Sequence, residues 1–167
     1  SQMRDTFNAD IAYLALLDQQ TGIIQFPYQY GDDIPPTPIG EGMTSRIIRD
    51  GKPLIFNRNI EEQSSVLGIQ RQGRKARSYL GVPIKAGRET IGALSVQSTQ
   101  KECVFDEDSL RLLSTVAANA GAAIKTARLH AETQRRAREM STLAEVGRDI
   151  SSSLEATTVL EGIANHA

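Results

Sequence analysis

Two stretches decide the fold: Arg77-Ser78-Tyr79-Leu80-Gly81-Val82-Pro83-Ile84 and Ile91-Gly92-Ala93-Leu94-Ser95-Val96-Gln97-Ser98. In the first, Leu80, Val82 and Ile84 alternate onto one face. In the second, Leu94 and Val96 do the same. A period of two is the signature of a β-strand. Ala86-Gly87-Arg88-Glu89 lies between them, and its glycine tolerates the positive φ of a tight reversal. Ser78–Lys85 and Thr90–Ser98 therefore read as an antiparallel hairpin. Pro83 has no N–H to give a ladder, so it belongs where that hydrogen would face no partner, or at a bulge.

Upstream, residues 1–10 are short and polar and read as the end of a helix. Ile11–Leu17 is a strand that ends at Asp18-Gln19-Gln20-Thr21-Gly22, a segment with turn chemistry. Ile23–Tyr30 is its return strand, with Ile24, Phe26, Tyr28 and Tyr30 expected on one face. Gly31 to Gly42 is loop, with prolines at 35, 36 and 38. Met43–Asp50 reads as a short helix closed by Gly51 in the left-handed conformation and blocked from continuing by Pro53. Pro53–Phe56 is a short strand. The polar stretch 57–77 holds a short helix near Glu61–Leu67.

Downstream the pattern turns helical. Asp106 is a good N-cap, Phe105 and Leu110 occupy the two positions of a hydrophobic staple, and Glu107 and Asp108 suit a positive helix N-terminus. Leu110, Leu113, Ala117, Ala120, Ile124 and Ala127 follow spacings of three and four. Ala131–Glu139 is polar. A second stripe follows at Met140, Leu143, Ile150 and Leu154. Heptads continued from the first stripe reach 138 and 141 rather than 140, so the helix either twists its contact face or breaks.

The chain has 167 residues, 40% hydrophobic and 23% charged, enough for a core without disulfide or metal staples. Its 19 basic and 20 acidic residues give a net charge of −1, which offers no global reason to expect a nucleic acid or an anionic membrane as partner. The longest apolar run, Ile11 to Leu17, is far short of the roughly 20 residues of a membrane span. Cys103 is the only cysteine, which excludes an internal disulfide and a Cys-rich zinc site and points to a reducing, cytoplasmic setting. A first residue of Ser1 rather than Met reads as a fragment of a longer protein.

The hairpin motif closely resembles the signature hairpin of GAF domains. Ala12-Tyr13-Leu14-Ala15-Leu16-Leu17-Asp18 resembles the family's first strand. Gly40-Glu41-Gly42, followed by Gly51-Lys52-Pro53-Leu54, resembles its second helix and next strand, and Phe105-Asp106-Glu107-Asp108 with Leu110 and Leu113 its closing helix. The likeness covers about residues 5–130. It implies an α+β fold: an antiparallel sheet of about six strands, helices on one face, a small-molecule pocket on the other, and a long C-terminal helix. Residues 1–130 would be the GAF domain, its first helix missing or truncated. Residues 131–167 would be a connecting helix and the start of a following GAF domain, because Leu143–Leu154, continuing to Leu160 and Ile163-Ala164, resembles an opening helix. A sheet lacking one covering helix exposes apolar surface at about 25 cal/mol per Å², so the segment from Leu143 is expected to fold back over it or to cross to a dimer partner.

The resemblance also places site candidates. The connector Ile69–Arg77 carries Arg71, Arg74, Lys75 and Arg77, with no acidic residue between Gln63 and Arg88. In the family this stretch helps to form a pocket lid, where these charges would meet an anionic ligand such as a nucleotide or carboxylate; alternatively it is a solvated loop. Tyr28, Tyr30, Phe56, Tyr79 and Gln97 are candidate pocket residues or ordinary packing, and Arg58 follows Phe56 at a strand end. The ligand-binding candidates are thus Tyr28, Phe56, Arg58, Arg74, Arg77, Tyr79 and Gln97, with no catalytic or metal-binding residue and no cofactor. Cys103 does not match the position of a bilin-linking cysteine, and His130 and His166 lie in the helical tail, away from a haem pocket. One cysteine cannot both attack and resolve in methionine sulfoxide reduction, and no phosphate loop or zinc motif is present.

The resemblance implies a sensory and regulatory module without catalysis of its own. It would bind a small ligand, dimerise through the long C-terminal helix, and pass a conformational signal to neighbouring domains of the same chain. Two-component kinases, cyclic-dinucleotide enzymes and transcription activators all use such modules. The alternative is a purely structural dimerisation unit with a collapsed pocket.

Overall fold

The computed structural model describes residues 2–166, with the side chains of Gln2, Val159 and 163–166 outside that description. Of the positions singled out above, Ser1, Ala167 and the side chains of Ile163, Ala164 and His166 therefore lie outside the described residues. The element order is α1 (Gln2–Phe7), β1 (Ile11–Leu17), β2 (Ile23–Tyr30), β3 (Thr37–Pro38), α2 (Met43–Asp50), β4 (Leu54–Phe56), α3 (Ile60–Val66), β5 (Ser78–Ala86), β6 (Glu89–Ser98) and α4 (Glu107–His166). All six strands join one antiparallel sheet in the order β3-β2-β1-β6-β5-β4. The chain divides into two compact units, 1–125 and 126–167. Among the described residues no helix is long and apolar enough to cross a membrane.

Alternation along the strands builds two cores, one on each face of the sheet. Ala12, Leu80, Val82, Ile84, Leu94 and Val96 meet Phe7, Phe105, Leu113 and Ala117 on the first face. Tyr13, Ala15, Ile24, Tyr79 and Ala93 meet Ile47, Ile48 and Ile60 on the second. The hairpin reverses through Gly87 at φ 67°, between the paired Ala86 and Glu89. Pro83 sits two residues beyond Gly81, where pairing with β4 ends, and just before an irregularity at Ile84/Lys85. Its missing N–H therefore costs no bond to β4.

One expected alternation fails. Ala12 pairs with Tyr30 and Leu14 with Tyr28, but Leu16 pairs with Gln25, so Phe26 and Pro27 together oppose Ala15. This bulge flips the strand. Ile24 and Phe26 face the second core, whereas Tyr28 and Tyr30 turn to the face of Ala12 and Leu14. Proline cannot donate to the ladder, so the extra residue falls where a ladder bond is unavailable anyway.

The staple and cap of α4 form as the sequence suggests: Phe105 is buried, Leu110 packs on the first core, and Ser109 N–H donates to Asp106 Oδ1 at 2.8 Å. The first stripe is corrected in detail. Ala127 is exposed, and the contact runs instead through Val116, Ala117, Gly121 and Ile124. The first helix is truncated: α1 has six residues and sets Phe7 and Met3 on the first core, while Tyr28 stays exposed. Within unit 126–167, Met140, Leu143, Val146, Ile150, Leu154 and Leu160 are exposed. α4 is assigned as one helix, so the change of stripe is not a break.

Hydrogen bonds from Ser109 hold the Asp106 carboxyl below its ordinary value of 3.8. A carboxylate lowered in the folded state stabilises it above the unfolded pKa, and that contribution is lost as pH falls through the folded pKa. The carboxyl carbon of Asp106 is therefore expected to titrate below 3.8 by NMR, and Asp106→Asn, which keeps the cap but not the charge, to flatten the acid limb of stability. A carboxyl midpoint at or above 3.8 would contradict this.

Candidate functional site

The second face of the sheet carries a cavity of about 80 Å³. Tyr13 on β1, Ile24 and Phe26 on β2, Tyr79 on β5 and Gln97 on β6 make the floor. The first turn of α2 (Gly42 to Ser45), the loop from Asp32 to Glu41 and the connector residues Arg71, Gln72, Arg74 and Ala76 make the walls. The floor is where it is because Tyr13, Ser95 and Gly81 are register neighbours, as are Ile11, Gln97 and Tyr79. Gly81 is required there: a Cβ would lie 2.4 Å from Ile47 Cδ1 and 2.7 Å from the Tyr79 hydroxyl, so the missing side chain is what admits the phenol.

A line of hydroxyls crosses this floor. Tyr13 Oη lies 2.6 Å from Thr44 Oγ1 and 3.2 Å from Tyr79 Oη. Gln97 Nε2 donates to Ser95 Oγ at 3.4 Å. Burial, then the neighbouring Tyr13, pushes the Tyr79 phenol well above its ordinary value, so it stays protonated. Tyr13 also meets Phe26 edge to face at 5.4 Å.

The walls are tied to one another. Asp32 Oδ2 accepts from Arg74 N–H at 3.1 Å, and Arg74 NH1 donates to Gly31 O at 2.7 Å. Gln70 N–H donates to Glu41 O at 2.7 Å, and the amide of Gln29 clasps both backbone groups of Ile34. Arg71 NH2 donates to Ala76 O at 3.1 Å, with Glu61 3.7 Å away.

The structure brings together Arg74, Tyr79 and Gln97 of the sequence candidates, and not Tyr28, Phe56, Arg58 or Arg77. Tyr28 is turned away by the bulge. Phe56 is buried behind the floor, its ring 6.4 Å from that of Tyr79. Arg58 is held outside by Cys103: Nε donates to Sγ at 2.9 Å, which raises the guanidinium pKa. Arg77 is exposed, and its N–H donates to Ser98 O at 2.7 Å. Arg74 lines the cavity, but its hydrogen bonds fasten the wall. Tyr13, Thr44 and Asp32 were not singled out. A hydroxyl amid the apolar run Ile11–Leu17 is the one signal that marks Tyr13. Cys103 is exposed, as expected of a free thiol, with φ 56° and its N–H on Asn57 O. Among the described residues no cluster of His, Cys, Asp and Glu is arranged to hold a metal ion.

Comparison with known proteins places this architecture. The Nif-specific regulatory protein of Herbaspirillum seropedicae is 31% identical over 130 residues, which cover 75% of this chain and 23% of that protein. The chain thus spans about a quarter of the length of that relative. The GAF domain from a phosphoenolpyruvate-protein phosphotransferase of Coxiella burnetii superposes with a TM-score of 0.68 at 18% identity, over 78% of this chain and 80% of that one. The type II free methionine-R-sulfoxide reductase of Thermoplasma acidophilum superposes with a TM-score of 0.61 at 17% identity, over 71% and 82%. At such identities the structural likeness carries the fold alone. The family model for the GAF domain matches residues 1–125, and with its six-stranded antiparallel sheet and closing helix this chain belongs to the GAF domain family.

Proposed function

We infer that the chain is a sensory and regulatory GAF module of the cytoplasm, without catalysis of its own, that binds a small ligand on the floor of Tyr13, Tyr79 and Gln97. The observation that carries this is the walled polar cavity itself. A floor built only for stability would be apolar, since buried hydroxyls add little net stability and cost much when left unpaired. The regulatory relative supports the same reading. The single cysteine supports the absence of thiol redox catalysis of the attack-and-resolve kind.

The route for a signal follows from the thickness of the sheet. On β1, Tyr13 lines the cavity and Ala15 packs in the second core beside it, while Ala12 and Leu14 face the core of α4. β5 does the same with Tyr79 and Leu80. A ligand that favours one position of these strands biases the packing of α4 in the same step. α4 then carries the change toward neighbouring domains and a second copy, with Met140, Leu143, Ile150 and Leu154 as the exposed stripe that a homodimer would bury.

A second reading, a dimerisation unit without a ligand, is favoured by the size of the cavity: about 80 Å³, against roughly 300 Å³ at the low end of ligand pockets. Native mass spectrometry of the protein purified from its own host separates the two. The sensing reading expects a dimer mass plus a small molecule that is lost on denaturation. A bare dimer supports the structural reading, and a bare monomer overturns both.

A further inference from the structure

The geometry points to a small organic acid bearing one hydroxyl or ammonium donor as the ligand of this cavity, its carboxylate held by the first turn of α2 and Arg71, its donor by Gln97. This rests on the reading of the cavity as a ligand site and names the chemistry that the site selects.

Three independent features converge. Gly42 caps α2 with no side-chain hydrogen bond, and no acidic residue occupies the first turn. The first intrahelical bond is Arg46 N–H to Gly42 O. The N–H groups of Met43, Thr44 and Ser45 are therefore donors without helical partners at the positive end of the helix, and all three residues line the cavity. Secondly, Arg71 lines the same space with its side chain only 18% exposed. Its nearest carboxylate, on Glu61, stands at 3.7 Å and is shared with Lys75 at 3.2 Å. A guanidinium so far withdrawn from water favours a closer anion, and it offers more donors than Ala76 O consumes. Thirdly, Gln97 is only 9% exposed and lines the cavity, and its carbonyl oxygen accepts no hydrogen bond among the described residues. An acceptor left open toward the cavity, on a side chain otherwise buried, calls for a donor from the ligand.

The hydroxyl line reaches the same first turn of α2 through Thr44. Tyr79, Tyr13 and Thr44 share their protons along one chain of contacts, 3.2 Å from Tyr79 Oη to Tyr13 Oη and 2.6 Å from Tyr13 Oη to Thr44 Oγ1. The two acids on the wall do not compete for these donors. Asp32 accepts the backbone N–H groups of Arg74 and Asp33, and Glu41 pairs with Arg49 at 3.7 Å. About 80 Å³ admits an acid of a few carbons and not a nucleotide, since larger ligands occupy pockets of roughly 300 Å³ or more.

The test titrates ¹⁵N-labelled protein with sodium glycolate, sodium acetate and neutral glycolamide, with sodium chloride as the ionic-strength control. Glycolate is expected to give saturable shifts of the Met43, Thr44 and Ser45 amides and of the Gln97 side-chain amide, in the roughly millimolar range that so few atoms allow. Acetate, which lacks the donor, is expected to bind several-fold more weakly, and glycolamide at least about tenfold more weakly. Arg71→Gln is expected to cost about tenfold in glycolate affinity and Arg71→Lys less. The three wild-type titrations need no variant to fold. Equal binding of glycolamide and glycolate overturns the carboxylate assignment while leaving a ligand site in place. Equal binding of acetate overturns the donor half. The absence of saturable shifts with both acids overturns the inference, whereas only a ligand-free protein in native mass spectrometry overturns the sensing reading beneath it.

Discussion

Gly121→Ala is expected to destabilise unit 1–125 by about 2–3 kcal/mol, although the same change in an exposed helix normally stabilises by about 0.4–1 kcal/mol. The reason is contact. A Cβ on Gly121 would lie 2.1 Å from Lys85 O and 3.1 Å from Lys85 C, both backbone atoms of β5. No rotamer relieves that clash. The helix must lift from the sheet, and the buried Leu113 and Ala117, which share its inner face, lift with it. Gly147→Ala is the internal control, because nothing lies within 4 Å of the Cβ it would gain. It should leave the melt of unit 1–125 unchanged and add helix by circular dichroism. Urea and thermal melts of the two variants against wild type decide the matter. Equal effects, or a Gly121→Ala protein as stable as wild type, would mean that α4 does not seat on β5 at this distance.

The contrast between these glycines shows what the sequence could and could not disclose. Strand identity was legible because Leu80, Val82 and Ile84 carry their own alternation, and α2 was legible because Gly51 and Pro53 stop it locally. Gly51 indeed adopts φ 62° and returns its N–H to Ile47 O. Properties that depend on a partner distant in the chain were not legible. Gly121 and Gly147 look alike as letters, and only the approach of β5 separates them. The bulge at Pro27 is set by Ala15 across the sheet, so the reading that grouped Tyr28 with Phe26 had no means of seeing the flip. The same limit governed the site. The basic connector suggested a lid that meets an anion, yet the Arg74 side chain is exposed and reaches Gly31 O, and Arg71 alone of the four sits part-buried against the cavity. Tyr79 and Gln97 were legible as polar side chains of the hairpin, and their cross-strand pairing sets both on the cavity side.

Gly31→Ala is the second large effect, and it probes the wall of the cavity rather than its floor. Gly31 holds φ 79°, which costs a residue with a Cβ about 1–2 kcal/mol. Its Cβ would also stand 1.9 Å from Asp10 O, a clash with backbone worth about 1–3 kcal/mol more. Asp10 cannot yield freely, because its carboxylate receives Thr99 N–H at 2.9 Å and the Thr99 hydroxyl, tying the start of β1 to the end of β6. Gly22→Ala separates the two terms. Gly22 has φ 69° but nothing within 4 Å of its would-be Cβ, so it should pay only the conformational part, about 1 kcal/mol. A further readout is specific to the wall. Gly31 O accepts the Arg74 guanidinium, so displacing it frees the connector, and trypsin should cut at Arg74 and Lys75 several-fold faster in Gly31→Ala than in Gly22→Ala when both are held well below their melting points. If Gly31→Ala were no less stable than Gly22→Ala, the close approach to Asp10 would be wrong. If it were less stable yet no more cleavable, the tie from Gly31 to Arg74 would not be what holds the connector over the cavity.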